Sequence, residues 1–159
     1  MSNTNENNKQ VAIEYVNEVW GKGNVDLIDK LMNDKVKLIS PLTGPLAGRE
    51  ALKKTIIGLR KSFPEFTSKL ISPAIAETVA EGQFVVLRYS SQGKHTGPAY
   101  LDVPAGMPKL AQDNTGKQFD LTGIAWLRFE EGRIVEVVEE ESALEVLSQL
   151  GLVEMKKEV

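Results

Sequence analysis

The chain has 159 residues, 42% of them hydrophobic and 26% charged, with a formal net charge of −3. That length fits one domain with a substantial core, and the slight acidity leaves no basic field to recruit nucleic acid or an anionic membrane. The sequence has no cysteine, which excludes disulfides, thiolate nucleophiles and sulfur-ligated metals; its single histidine, His95, excludes His-rich zinc sites and makes any Ser-His-Asp triad depend on that residue.

The first residues, MSNTNEN, are polar and unpatterned, so 1–7 is predicted as a disordered tail ahead of a single domain at 8–153, with a second tail at 154–159. From Val11 the period is helical, with Val11, Tyr15, Val16, Val19 and Trp20 on one stripe that stops at Gly21-Lys22-Gly23. Asn24 is the expected N-cap of a short helix through Met32, buried by Leu27, Ile28 and Leu31. Val36 to Ile39 is a strand candidate, PLTGPLAG a loop, and Arg49 to Phe63 a third helix with Leu52, Ile56, Leu59 and Phe63 on its apolar face, ended by Pro64. The period then changes to that of strands, at 66–80 and 83–92, joined at Glu81-Gly82. A Gly/Pro-containing connection, 93–116, leads to a second hairpin, 118–129 and 133–141, about Glu131-Gly132. A connection of that length reads as a lid, a partner-contact flap or a surface excursion. The chain closes with a short helix, capped by the box Ser142 and Glu145 and ended at Gly151 in the left-handed position. Helices followed by mostly consecutive antiparallel strands indicate one α+β domain. No apolar run approaches the ~20 residues that span a bilayer, and the N-terminus shows no signal pattern, so a cytoplasmic protein is expected.

Several phrases in this order resemble one family, the SnoaL-like polyketide cyclases (ester cyclases) of the nuclear transport factor two-like superfamily. They are EVWGKGNVDLIDKLM, PLAGREALKKTIIGLRKSFPEF, GKHTG and FDLTGIAWLRFEEGRIVEVVEEESALEVLSQLGL, together spanning roughly residues 10–152. The resemblance implies a cone: a curved antiparallel sheet with N-terminal helices on its concave face, an apolar pocket inside, and a homodimer formed through the outer face. It also implies cofactor-free ring closure of an aromatic polyketide ester, with an acidic side chain moving the proton.

The family's catalytic carboxylate falls on Glu139. Alternation puts Val135, Val137 and Glu139 on one strand face, so an inward Glu139 would sit in apolar surroundings that raise its proton affinity. The plainer alternative is that Glu139, Glu140 and Glu141 form a solvated strand end facing the positive N-terminus of the last helix. Two hairpin registers are open. A loop centred on Gly132 pairs Ala125 with Glu139; a two-residue loop at Glu131-Gly132 pairs Ile124 with it. Relatives carry histidine where this chain has Ala125, glutamine at Gly123, a polar pair at Ile39-Ser40 and His-Trp at Val137-Val138. His95 in GKHTG is either a hydrogen-bonding group at the pocket mouth, secondary to Glu139 in acid/base work, or the residue that orders the turn before Gly97-Pro98. Tyr15, Trp20 and Trp126, with Ala125, Gly123 and Ile39, complete the candidate lining.

The expected function is binding of a small apolar or aromatic molecule in the cone, with acid/base chemistry at Glu139 and no cofactor or metal. The alternatives are a non-catalytic binding or assembly module, or a cofactor-free isomerase or dehydratase. A pocket of ~300 Å³ or more with Glu139 at its base would favour a ligand site, and a filled interior with Glu139 in solvent would favour a scaffold.

Overall fold

The structure, a computed structural model, describes residues 2–79 and 82–154. Among them the helices are α1 (Ser2–Glu14), α2 (Leu27–Leu31), α3 (Arg49–Ser62) and α4 (Ala143–Gln149). The strands are β1 (Met32–Ser40), β2 (Gly44–Ala47), β3 (Thr67–Leu70), β4 (Ile75–Val79), β5 (Gly82–Lys94), β6 (Gln118–Glu130) and β7 (Arg133–Glu141). The expected turn residue Glu81 and the tail at 155–159 lie outside the described residues.

The segment predicted as a disordered tail is instead helical from Ser2. The helix is tied down at Asn8, the first residue of the predicted domain, which is 1% exposed and donates from Nδ2 to Gln83 Oε1 at 2.9 Å; the mostly exposed residues ahead of it continue the same helix. α1 passes without a break into a π-helical turn, Tyr15–Trp20, flanked by Glu14 and Gly21 in ordinary right-handed helical geometry. The wider turn buries Tyr15, Val16 and Val19, the centre of the predicted stripe. Its C-terminal carbonyls, those of Trp20 and Gly21, accept from Arg60 Nη2 of α3 at 2.7 and 2.6 Å. A side chain at Gly21 would place its Cβ 2.3 Å from the Ser68 carbonyl oxygen, so glycine is what lets this helix end lie against β3. Leu52 and Ile56 of α3 and Phe63 just past its end are buried and Leu59 is half-buried, as the period predicts.

The strands form one curved, unclosed sheet in the order β2-β1-β7-β6-β5-β3, with β4 also paired to β5. β1 runs parallel to β7 and every other pairing is antiparallel, so the sheet is mixed rather than purely antiparallel. The predicted 66–80 strand is two strands, because Ser72 and Pro73 interrupt it; β3 and β4 pair successive stretches of the long β5. β2 falls in the segment read as a loop. It is an edge strand, where Pro45 is tolerated, and its Ala47 and Gly44 pair with Lys37 and Ser40. β1 is longer than the expected 36–39: Met32 already stands opposite Ile134 of β7, and after an irregularity the pairing resumes at Lys37 opposite Glu136.

Helices cover the concave face. The core between the two layers holds Tyr15, Val19, Ile28, Leu52 and Ile56 from the helices, facing Leu38, Val85, Leu87, Leu127 and Val137 from the strands. At the far end, Gly151 (φ 69°) closes α4 with Gly151 N donating to Ser148 O and Leu152 N to Leu147 O. Ser142 occupies the N-cap position but its side chain makes no capping bond, which corrects the predicted capping box.

Candidate functional site

β7 delivers two carboxyl groups to the inside of the cone. The hairpin turn is the two-residue Glu131-Gly132, both at positive φ (50° and 73°), which pairs Glu130 with Arg133. Between Arg128 and Phe129 the register then shifts by one residue, so Ala125, not Ile124, stands opposite Glu139. The two registers left open by the sequence are thus both partly right, joined by a bulge at Val135. The bulge also corrects the predicted face: Ile134, Val137 and Glu139 are buried, while Val135 is only half-buried.

Glu139 is 6% exposed and accepts at Oε1 from the Tyr15 hydroxyl at 3.1 Å. Burial, then the nearby Glu141 carboxylate, raise its proton affinity, moving its pKa from the usual 4.5 to about 8, partly opposed by the Tyr15 bond. Burial likewise holds Tyr15 neutral, well above the ordinary tyrosine range.

Glu141, read from sequence as solvated charge, also points inward. Its Oε1 accepts from the Tyr89 hydroxyl at 2.6 Å and its Oε2 from the Ser40 hydroxyl at 2.9 Å. Burial raises its pKa as well, and the hydrogen bonds from Tyr89 and Ser40 oppose the rise. Tyr89 reaches it only because position 123 is glycine: a Cβ there would stand 2.5 Å from the Tyr89 ring and hydroxyl. The signal was available, since Glu141 is two residues beyond Glu139 on an alternating strand.

Both carboxyls line an apolar cavity of about 110 Å³, walled by rings that include Trp20, Phe63, Phe66, Tyr100 and Phe119. This is smaller than the ~300 Å³ of ordinary ligand pockets and of the order of the ~150 Å³ apolar cavity that admits benzene. The interior is neither the large open pocket nor the filled core that the sequence left as alternatives. One wall comes from the 95–117 connection, through Tyr100, Val103, Met107, Pro108 and Leu110. Tyr100 and Leu110 exchange backbone hydrogen bonds at 2.9 and 3.2 Å, and Ala99 N donates to Asp113 Oδ1 at 2.8 Å, so the connection folds back on itself as a flap.

The structure does not bring His95 to the cavity. It is fully buried at the root of the flap, in ring contact with Phe63, with Nδ1 accepting from Thr115 N (3.3 Å) and facing Thr115 Oγ1 (3.0 Å). Nε2 then carries the proton and donates to Pro98 O at 2.8 Å. Both ring nitrogens are used in ordering the turn, the second of the sequence-based alternatives. Tyr15 and Trp20 are brought to the site, Tyr15 on Glu139 and Trp20 in the wall. Ala125, fully buried opposite Glu139, and Gly123, covered by Tyr89, are not in the cavity wall. Ile39 (49% exposed) and Trp126 are not in the wall either: Ile39 pairs with Val138 and Trp126 stacks on Phe84, on the opposite side of the sheet. Among the described residues no group of His, Cys, Asp and Glu is placed to hold a metal ion.

Fold and site together define a class: a half-open α+β cone with a carboxyl buried at an apolar cavity. The chain belongs to the SnoaL-like polyketide cyclase family, whose sequence model matches residues 10–150. No curated protein matches it. Solved structures share the fold. A candidate SnoaL-like polyketide cyclase from Jannaschia sp. CCS1 is 18% identical with a TM-score of 0.73, covering 97% of this chain and 98% of that one. AclR, a candidate hydroxylase from Streptomyces galilaeus, is 21% identical with a TM-score of 0.71, covering 97% and 91%. IdmH, a candidate polyketide cyclase from Streptomyces antibioticus, is 23% identical with a TM-score of 0.65, covering 94% and 97%.

Proposed function

We propose that this protein binds a compact apolar or aromatic molecule in the cone and performs cofactor-free acid/base chemistry on it, of the ester-cyclase type, with Glu139 moving the proton. The observation that carries this reading is a carboxyl 6% exposed at an apolar cavity, its proton affinity moved toward neutrality. A group so tuned can take a proton from a carbon acid as the carboxylate and return it to oxygen as the acid. Tyr15 fixes the orientation of Glu139, and the apolar walls exclude the water that would otherwise solvate its charge. An aromatic polyketide ester exceeds the closed volume of about 110 Å³, so a substrate of that size requires the flap to swing out.

A second reading, a non-catalytic binding module, draws on Ala125 and Gly123, which offer no polar group where relatives carry histidine and glutamine. Two copies pairing through the outer sheet face, where Ile39, Ile124 and Trp126 lie, and a cytoplasmic location complete the proposal. Mass spectrometry of small molecules that co-purify with the protein identifies the ligand. Turnover of that ligand by the Glu139→Gln variant then decides between the readings: loss of at least ~100-fold is expected for a general acid/base, and unchanged turnover rejects the catalytic role.

A further inference from the structure

Glu139 and Glu141 face the same cavity, but the protein treats them differently. Glu141 is gripped from two neighbouring elements, by Ser40 of β1 and Tyr89 of β5, with a short O–H donor on each oxygen. Glu139 receives one longer bond, from Tyr15, and its Oε2 has no partner among the described residues. No lysine, arginine or histidine lines the cavity. The titratable groups that face the two acids are Tyr15 from the π-helical turn, Tyr89 from β5 and Tyr100 from the flap, all kept neutral by burial, and the exposed Glu140 adds only further negative charge. Nothing nearby therefore compensates a second negative charge. Two carboxylates in one poorly solvated space do not both ionise near neutral pH; the one better supplied with donors keeps the charge and the other keeps the proton.

We propose that Glu139 and Glu141 work as a proton-sharing pair, with Glu141 the fixed anion and Glu139 the proton holder, so that Glu141 is a positioning residue for the chemistry at Glu139. Its catalytic meaning rests on the function proposed above, but the pairing is a property of the unliganded protein. With Tyr15 on Oε1, the proton of Glu139 is carried on Oε2. Gly123 belongs to the same device, because only its missing side chain lets Tyr89 reach Glu141.

The experiment is a pH titration of the full chain labelled with ¹³C at glutamate carboxyls, followed by NMR, needing no ligand. In the parent protein two glutamates titrate apart, one of them far above the surface glutamates, and Glu139→Gln removes that upper titration. Glu141→Gln keeps the acceptor geometry and is expected to lower the Glu139 midpoint by about one pH unit or more, tenfold in proton affinity. A midpoint that stays in place or rises overturns the pair. Should Glu141→Gln fail to fold, Tyr89→Phe removes one donor from Glu141 and is expected to raise the lower midpoint; an unmoved lower midpoint overturns the pair equally. The two proposals fail separately. Turnover independent of Glu139 removes the acid/base reading and leaves the titration shift standing, while an unmoved midpoint removes the pair and leaves dependence on Glu139 standing.

Discussion

Replacing Glu139 with glutamine is expected to stabilise this protein at alkaline pH. In the unfolded chain the Glu139 carboxyl ionises near 4.5, and in the folded chain near 8. Between those values the folded state holds one proton more than the unfolded state, so stability falls as pH rises. The contribution is fully present below the unfolded value and lost as pH passes through the folded one. The interval is about 3.5 pH units, which at ~1.36 kcal/mol per unit sets a ceiling of about 5 kcal/mol on the destabilisation above pH 8. Glu141, whose proton affinity burial also raises, adds a term of the same sign. Glutamine keeps the side-chain volume and an oxygen for the Tyr15 hydroxyl, so packing changes little. Urea melts of parent and variant from pH 5 to 9 provide the test. The parent should lose stability across this range, the variant should lose much less, and at pH 9 the variant should lead by about 2–4 kcal/mol. A parent that is level or gains stability from pH 5 to 9, or a variant that declines in parallel with it, refutes the reasoning.

Gly123→Ala forces a Cβ to 2.5 Å from the Tyr89 ring and hydroxyl, so it should cost about 1–3 kcal/mol in urea melts and detach Tyr89 from Glu141, seen as a shift of the Glu141 carboxyl resonance. His95→Ala removes the bonds to Thr115 and Pro98 at the flap root; hydrogen exchange should accelerate at least ~10-fold across 98–116 while β5–β6 stays protected.

The elements that were legible are those whose own period decides them. The stripe around Tyr15, Val16 and Val19, the apolar face of α3 and the β6–β7 hairpin all follow from spacing that one face of one element must satisfy. What escaped depends on partners distant in sequence. α1 is anchored where Asn8 finds Gln83, a partner 75 residues away, and GPLA is a strand because β1 offers it an edge. The candidate site divides in the same way. Glu139 was legible from family position, but its facing depended on a bulge at Val135, and no period announces a one-residue insertion. Glu141 was hidden by its neighbours: three consecutive acids read as solvated, although alternation requires the first and third to share a face. His95 was found by its phrase, yet only the tertiary position of Thr115 shows that its nitrogens serve the flap.

The flap and the acid pair are energetically connected. The proton affinity of Glu139 owes its largest part to burial, and one wall of that burial is made by Tyr100, Val103, Met107, Pro108 and Leu110 of the flap. Swinging this wall outward admits water to both carboxyls, which lowers the cost of a second charge and releases the proton held by Glu139. On the function proposed above, closing it over an apolar guest would expel water again and restore the proton. A ligand that shuts the flap therefore raises the proton affinity of the residue proposed to act on it, and by linkage a protonated Glu139 favours the closed form. The direction of this coupling is set by the chemistry of the lining, since a cavity with acids and no base gains protons when it dries. On the proposed function it would place the closed, guest-filled state and the protonated acid on the same side of one equilibrium, which suits return of a proton to substrate oxygen better than its first removal from carbon.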